Sequence, residues 1–193
     1  MCGNCNMPLT AIDAKTALLI VDLQNGIVGR LAGDPINRVV GNCRRLADAF
    51  RAHRLPVVLI NVVAGAPGRT EVGMHMPDKL QKDFADIVPE LGRHEEDIFV
   101  SKRSWGAFAN TDLDSRLRAM GVTQVVVCGV ATATGVEATA RQAYELGYNV
   151  TLALDAMIDA RADAQQYSFL SVFPRLGETG TTDDVLDLVE RLR

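Results

Sequence analysis

Asp22 closes a run of five apolar residues, Ala17-Leu18-Leu19-Ile20-Val21. A carboxylate at the mouth of such a run is stripped of much of its water, so it needs a cation or hydrogen-bond donors close by. Lys102 is a candidate for that cation. It is one of four lysines, with Lys15, Lys79 and Lys82, and it follows Ile98-Phe99-Val100-Ser101. That context places it at a strand end rather than on a solvated helix, where an ammonium could neutralise Asp22 or hold an anionic substrate group. Each residue also has a plainer reading, Asp22 as a turn cap and Lys102 as an ordinary edge lysine. Trp105 and Phe108 lie just beyond Lys102. An aromatic wall beside a charged pair suits a small planar or cyclic substrate, although Phe108 reads equally as a core residue. The stretch Gly129-Val130-Ala131-Thr132-Ala133-Thr134-Gly135 leads from a strand into a helix. Such a turn aims backbone N–H groups at an anion or a developing oxyanion.

Other chemistries find no support in the residues. The glycine turn lacks G-x-x-x-x-G-K-[ST] and G-x-G-x-x-G, so no nucleotide cofactor is expected. There is no G-x-S-x-G elbow. His53, His75 and His94 show no paired spacing, so no metal is expected. His53 and His94 read as surface residues, and His75 as one able to reach a pocket. Cys43 on a helix face and Cys128 inside an apolar strand read as small buried hydrophobes. Cys2-Gly3-Asn4-Cys5 has no second cysteine pair to complete a zinc site, and reads as a tail with two oxidisable thiols. Twenty Lys+Arg against 24 Asp+Glu, a net charge of −4, argue against a broad grip on nucleic acid or anionic lipid. No apolar run approaches the about 20 residues that span a bilayer. Met1 to Lys15 has no basic patch feeding an apolar stretch, so no signal peptide is expected. With the thiol usage, this points to a reducing cytoplasm.

The elements that must position these residues alternate between two periods. Apolar, β-branched runs fall at Ala17–Asp22, Pro56–Val63, Asp97–Ser101, Gln124–Gly129 and Asn149–Leu154. Ile36, Val39, Val40, Cys43, Leu46, Ala47 and Phe50 recur at helical steps. Leu113, Leu117 and Met120 predict a second helix, with Thr111 as N-cap and Gly121 as its stop. Further helices are predicted over about Thr134–Leu146, ending at Gly147, over about Ala160–Phe173, closed by Pro174, and from near Thr182. Strands alternating with helices give βαβ units and a parallel sheet covered on both faces. With 193 residues, 48% of them apolar, the chain reads as a single domain over 1–193, with 1–14 as a flexible tail. Ala64 to Glu96, rich in Gly and Pro, reads as an excursion able to form a lid or an oligomer contact. Ligands in such sheets bind beyond the carboxyl ends of the strands. That places Asp22, Gln24, Lys102, Trp105 and the Gly129–Gly135 turn around one crevice.

In order and spacing, Thr16–Asn25, Lys102–Phe108, Gly129–Ala140 and Gly147–Ala156 resemble the isochorismatase-like hydrolases, also called the cysteine hydrolase superfamily. The resemblance implies a three-layer α/β/α sandwich with a central mostly parallel sheet, catalytic roles for Asp22 and Lys102, and a non-proline cis peptide at Val130–Ala131. Gln24, Trp105, Phe108, Val130 and Ala131 are the candidate contacts for a small-molecule substrate, no cofactor is expected, and relatives of this kind usually form dimers or larger assemblies. One departure matters. Most relatives carry a nucleophilic cysteine where this chain has Gly135, and the covalent amidase mechanism needs that thiolate. True isochorismatases also have glycine there and hydrolyse a vinyl ether without a covalent intermediate. The expected activity is therefore hydrolysis of a small anionic molecule by acid/base chemistry at Asp22 and Lys102. A cysteine-independent amide or imide hydrolase and a silent binding homologue are the alternatives. A lysine beside Asp22 lowers its pKa, whereas a general-acid role needs it raised; burial or a substrate carboxylate sharing Lys102 has to win. Arg69, His75 and Lys79 of the excursion are candidates for reading the substrate.

Overall fold

The computed structural model describes residues 9–31, 33–71 and 81–192. Among them, six strands form one parallel sheet: β1 (Thr16–Val21), β2 (Val57–Val62), β3 (Ile98–Lys102), β4 (Gln124–Val130), β5 (Asn149–Ile158) and β6 (Glu178–Gly180). Their order is β3-β2-β1-β4-β5-β6, so β1 lies inside the sheet with β2 and β4 as its neighbours. All six residues of β1 and all seven of β4 are buried, as expected of strands covered on both faces.

The helices divide between the two faces: α1 (Asn25–Val28), α2 (Asp34–Ala52), α3 (Leu113–Ala119), α4 (Glu137–Glu145), α5 (Ala162–Tyr167), α6 (Phe173–Leu176) and α7 (Thr182–Val189). Leu18 and Ile20 of β1 face the layer built by α2 and α7, whereas Ala17, Leu19 and Val21 face the layer of α3, α4 and α6. This alternation follows from the two-residue period of a strand. The buried face of α2 is made by the seven residues whose spacing predicted it.

Several expectations need correction. Residues 9–14 are not a loose tail: Leu9 and Ile12 are buried, and Gln124 binds the backbone of Ala11 and Asp13. Cys2 and Cys5 lie outside the described residues. β5 runs four residues past its predicted end, because its pairing with β4 shifts between Val127 and Gly129. Asp155, in that irregular part, accepts hydrogen bonds from Asn42 and Thr182 instead of ending the strand. The predicted helix over Ala160–Phe173 is broken in two. A π-helical turn, Ser168–Val172, separates α5 from α6, and Pro174 falls in the first turn of α6. A proline is tolerated there because its missing N–H would have had no helical partner. Strand β6 is short and polar, so no apolar run announced it. Thr111 accepts a bond from Leu113 N but donates to Ala107 O, and the helix itself starts at Leu113.

Candidate active site

Three strand ends build the site. Asp22 follows β1 directly and takes a left-handed backbone conformation, φ +52°, which aspartate tolerates better than most residues. Its N–H donates to Ile60 O of β2, and its carbonyl accepts from Gln24 N. Lys102 ends β3. Its Nζ lies 2.7 Å from Asp22 Oδ2 and 3.2 Å from Ser104 O. Both side chains are buried, Lys102 at 1% and Asp22 at 4% exposure. Among the described residues, Asp22 Oδ1 has no hydrogen-bond partner. Lys102 Nζ has a third N–H, since an ammonium carries three donors.

The third component is the wide turn Thr132–Val136 between β4 and α4, entered through a cis peptide at Val130–Ala131. Gly135 is buried in that turn. A Cβ placed on it would lie 3.0 Å from Asp22 Oδ2, 3.1 Å from Val130 O and 3.1 Å from Val21 Cγ1. The glycine thus faces the carboxylate directly, and any side chain there would press on it. Burial pushes the Asp22 carboxyl up from an ordinary 3.8 to about 6, against the pull of the Lys102 charge and its hydrogen bond. A carboxyl titrating there can hold or release a proton close to neutral pH. Burial thus outweighs the pull of Lys102 on this carboxyl.

The remaining expected residues fall into different places. Gln24 is fully buried and its amide is saturated by backbone: Nε2 donates to Val62 O and Phe84 O, and Oε1 accepts from Val62 N. It straps the residue 84–88 segment to the end of β1, which corrects the expectation that it contacts substrate. Phe108 is also corrected: its ring packs in the core, 5.9 Å from that of Tyr148. Trp105 is 55% exposed. Val130 is buried and Ala131 packs on the α2 side of the core. His53 and His94 are exposed, Arg69 is exposed, and His75 and Lys79 lie outside the described residues. Among the described residues, no three His, Cys, Asp or Glu side chains gather as a metal site, and no helix is long and apolar enough to cross a membrane.

Sequence reading missed a set of supporting residues. Thr139, fully buried in α4, donates to Gly135 O at 2.7 Å and accepts from Ala107 N at 3.1 Å. Gln142, one turn on, accepts from Phe108 N. Asp159, just past β5, accepts from Ala133 N within the glycine turn. Thr132 Oγ1 and Asn61 Oδ1 are buried without a partner among the described residues. A polar residue on the buried face of a helix was the one available signal, and only Thr139 carries it clearly.

Residues 16–184 match the isochorismatase domain model. The chain is 40% identical over 182 residues to the isochorismatase family protein YwoC of Bacillus subtilis, covering 91% of this chain and 95% of that protein. It is 30% identical over 207 residues to the ureidoacrylate amidohydrolase RutB of Stutzerimonas stutzeri, covering 91% and 83%. Its fold superposes on the crystal structure of an isochorismatase family protein from Burkholderia thailandensis with a TM-score of 0.87 at 38% identity, over 95% of this chain and 98% of that one. The chain belongs to the isochorismatase family of hydrolases.

Proposed function

We propose that this protein hydrolyses a small anionic molecule by moving a proton through Asp22, with no covalent bond to a protein thiol. One observation carries the reading: a buried carboxyl lifted to about 6, bonded to Lys102 and facing a glycine. In this reading Gly135 stands where the nucleophilic cysteine of other family members stands. Cys128 does not replace it, since its side chain lies in the core beneath α2. The turn from Val130 to Gly135, with Trp105 near Lys102 in sequence, makes the substrate's surroundings.

A vinyl ether is the substrate class that fits a carboxylic acid without a thiol. Asp22 gives its proton to the terminal carbon, whose C=C pair forms the new C–H bond, leaving an oxocarbenium ion. Water adds to that ion and returns a proton to Asp22. The hemiketal then splits into a carbonyl compound and an alcohol. Lys102 holds a substrate oxygen or carboxylate. As its charge is shared with that group, its hold on Asp22 weakens, the carboxyl pKa rises, and more of Asp22 carries the proton it has to deliver. A second reading is supported by the similarity to RutB, an amidohydrolase. There Asp22, ionised, is the base that activates water on an amide. Assembly as a homo-oligomer and a cytoplasmic location belong to the same proposal; size-exclusion chromatography and cell fractionation check them.

The test is turnover of isochorismate and of a panel of amides, ureidoacrylate among them, by the unmodified protein, by Asp22→Asn and after thiol alkylation. Expected is activity on one class, lost in Asp22→Asn and retained after alkylation. An acid role makes kcat fall as pH rises through the Asp22 midpoint, and a base role makes it rise. No turnover anywhere on the panel, activity untouched by Asp22→Asn, or activity abolished by alkylation overturns the proposal.

A further inference from the structure

We propose that Thr139 is a positioning residue of this site, whose single hydroxyl ties the turn carrying Gly135 to the loop that follows Lys102. The donated bond to Gly135 O is an ordinary helical back-bond, reaching four residues up the chain. The accepted bond is not local. It comes from Ala107 N, 32 positions earlier, on a different element. Residues 103–112 belong to no strand or helix, so their backbone has to be anchored by other means.

Two anchors bracket the loop. On one side Lys102 Nζ, already bonded to Asp22, donates to Ser104 O. On the other, Ala107 N and Phe108 N bond Thr139 and Gln142 of α4. Gly106 lies so close to α4 that a Cβ on it would collide with the Gln142 amide. The loop is therefore held against α4 from Gly106 to Phe108 and against the ammonium at Ser104. Because the same Thr139 oxygen also fixes the carbonyl of Gly135, the glycine and the lysine cannot shift independently. Thr139 and Ala107 are both fully buried, so water cannot take over either bond.

The test compares full-length Thr139→Val, which keeps the shape and loses the hydroxyl, with Thr139→Ser, which restores it. Neither readout is turnover, so failure of the hydrolase reading leaves the result interpretable. Carboxyl NMR follows the titration of Asp22, and fluorescence anisotropy follows Trp105, the sole tryptophan of the chain. In folded Thr139→Val, loosening the loop weakens the lysine's hold, so the Asp22 midpoint rises by about one pH unit. Trp105 anisotropy falls by about a third as the loop gains mobility. Thr139→Ser returns both to the unmodified values. A folded valine variant in which either readout stays unchanged, or a serine variant that restores neither, overturns the proposal. Hydrogen exchange of the Ala107 amide in the unmodified protein tests it without any variant. Protection comparable to that of β4 amides is expected, and exchange as fast as an exposed loop overturns it.

Discussion

Among the described residues, two ion pairs reach into the interior, and they are built differently. Arg51 of α2 meets Asp97 with Nε 3.1 Å from Oδ1 and a terminal nitrogen 2.8 Å from Oδ2. The guanidinium also bonds Leu91 O and Asp48, and Asp97 accepts from His94 N. Both carboxylate oxygens are occupied, in the two-pronged geometry that arginine favours. Asp22 and Lys102 are more deeply buried than Arg51, yet Asp22 Oδ1 has no partner among the described residues. Lysine offers a point charge rather than a fork, so it can turn toward a second anion. What separates the two pairs is hydrogen-bonding capacity left unfilled among the described residues, which the proposed activity would use.

The contrast can be broken by crossing the two pairs. The largest effect is expected at Asp22→Asn, which removes the proton carrier and lowers kcat by about 10² to 10⁴; steady-state kinetics on the substrate found by the panel measures it. Arg51→Met leaves Asp97 buried and unpaired, and should cost the fold about 3–5 kcal/mol in urea unfolding. The kcat of the remaining folded protein should not change. Next comes a pH effect confined to the first pair. Asp22 titrates at about 6 in the fold and near 3.9 in an unfolded chain, so the fold binds this proton more tightly. Stability from this group is full below about pH 4 and is lost as pH rises through about 6, on the order of 2–3 kcal/mol. Asp22→Asn should flatten that part of a stability–pH curve, and Arg51→Met should leave it in place. The smallest effect belongs to Gly135→Ala. Its methyl would sit 3.0 Å from Asp22 Oδ2, an overpacking that costs about 1–3 kcal/mol in the same unfolding measurement.

The Asp22–Lys102 pair was legible because each member ends an apolar run, which places it at a carboxyl edge before any contact is known. The parallel sheet and the α2 face were legible for the same reason, periodicity. Side-chain aim was not. Gln24 and Asp22 are both polar and both follow β1, yet Gln24 is bonded to backbone through its whole amide while Asp22 Oδ1 has no partner among the described residues. That difference depends on where residues 84–88 cross the strand end, some 60 positions away. Phe108 was ambiguous because an aromatic residue suits a core as well as a pocket. Thr139 offered one sign, a polar residue on a buried helix face, but a threonine bonding back within its own helix is commonplace; its second partner exists only after the chain has folded.

Gly135 has a consequence for chemical resilience. Peroxide and heavy-metal ions disable enzymes by capturing an activated sulfur. Here the two thiols among the described residues, Cys43 and Cys128, are buried in the core, and the side chains that a Cβ on Gly135 would meet, those of Asp22 and Val21, carry no sulfur. On the proposed hydrolase reading, activity therefore withstands peroxide and thiol-binding metal ions.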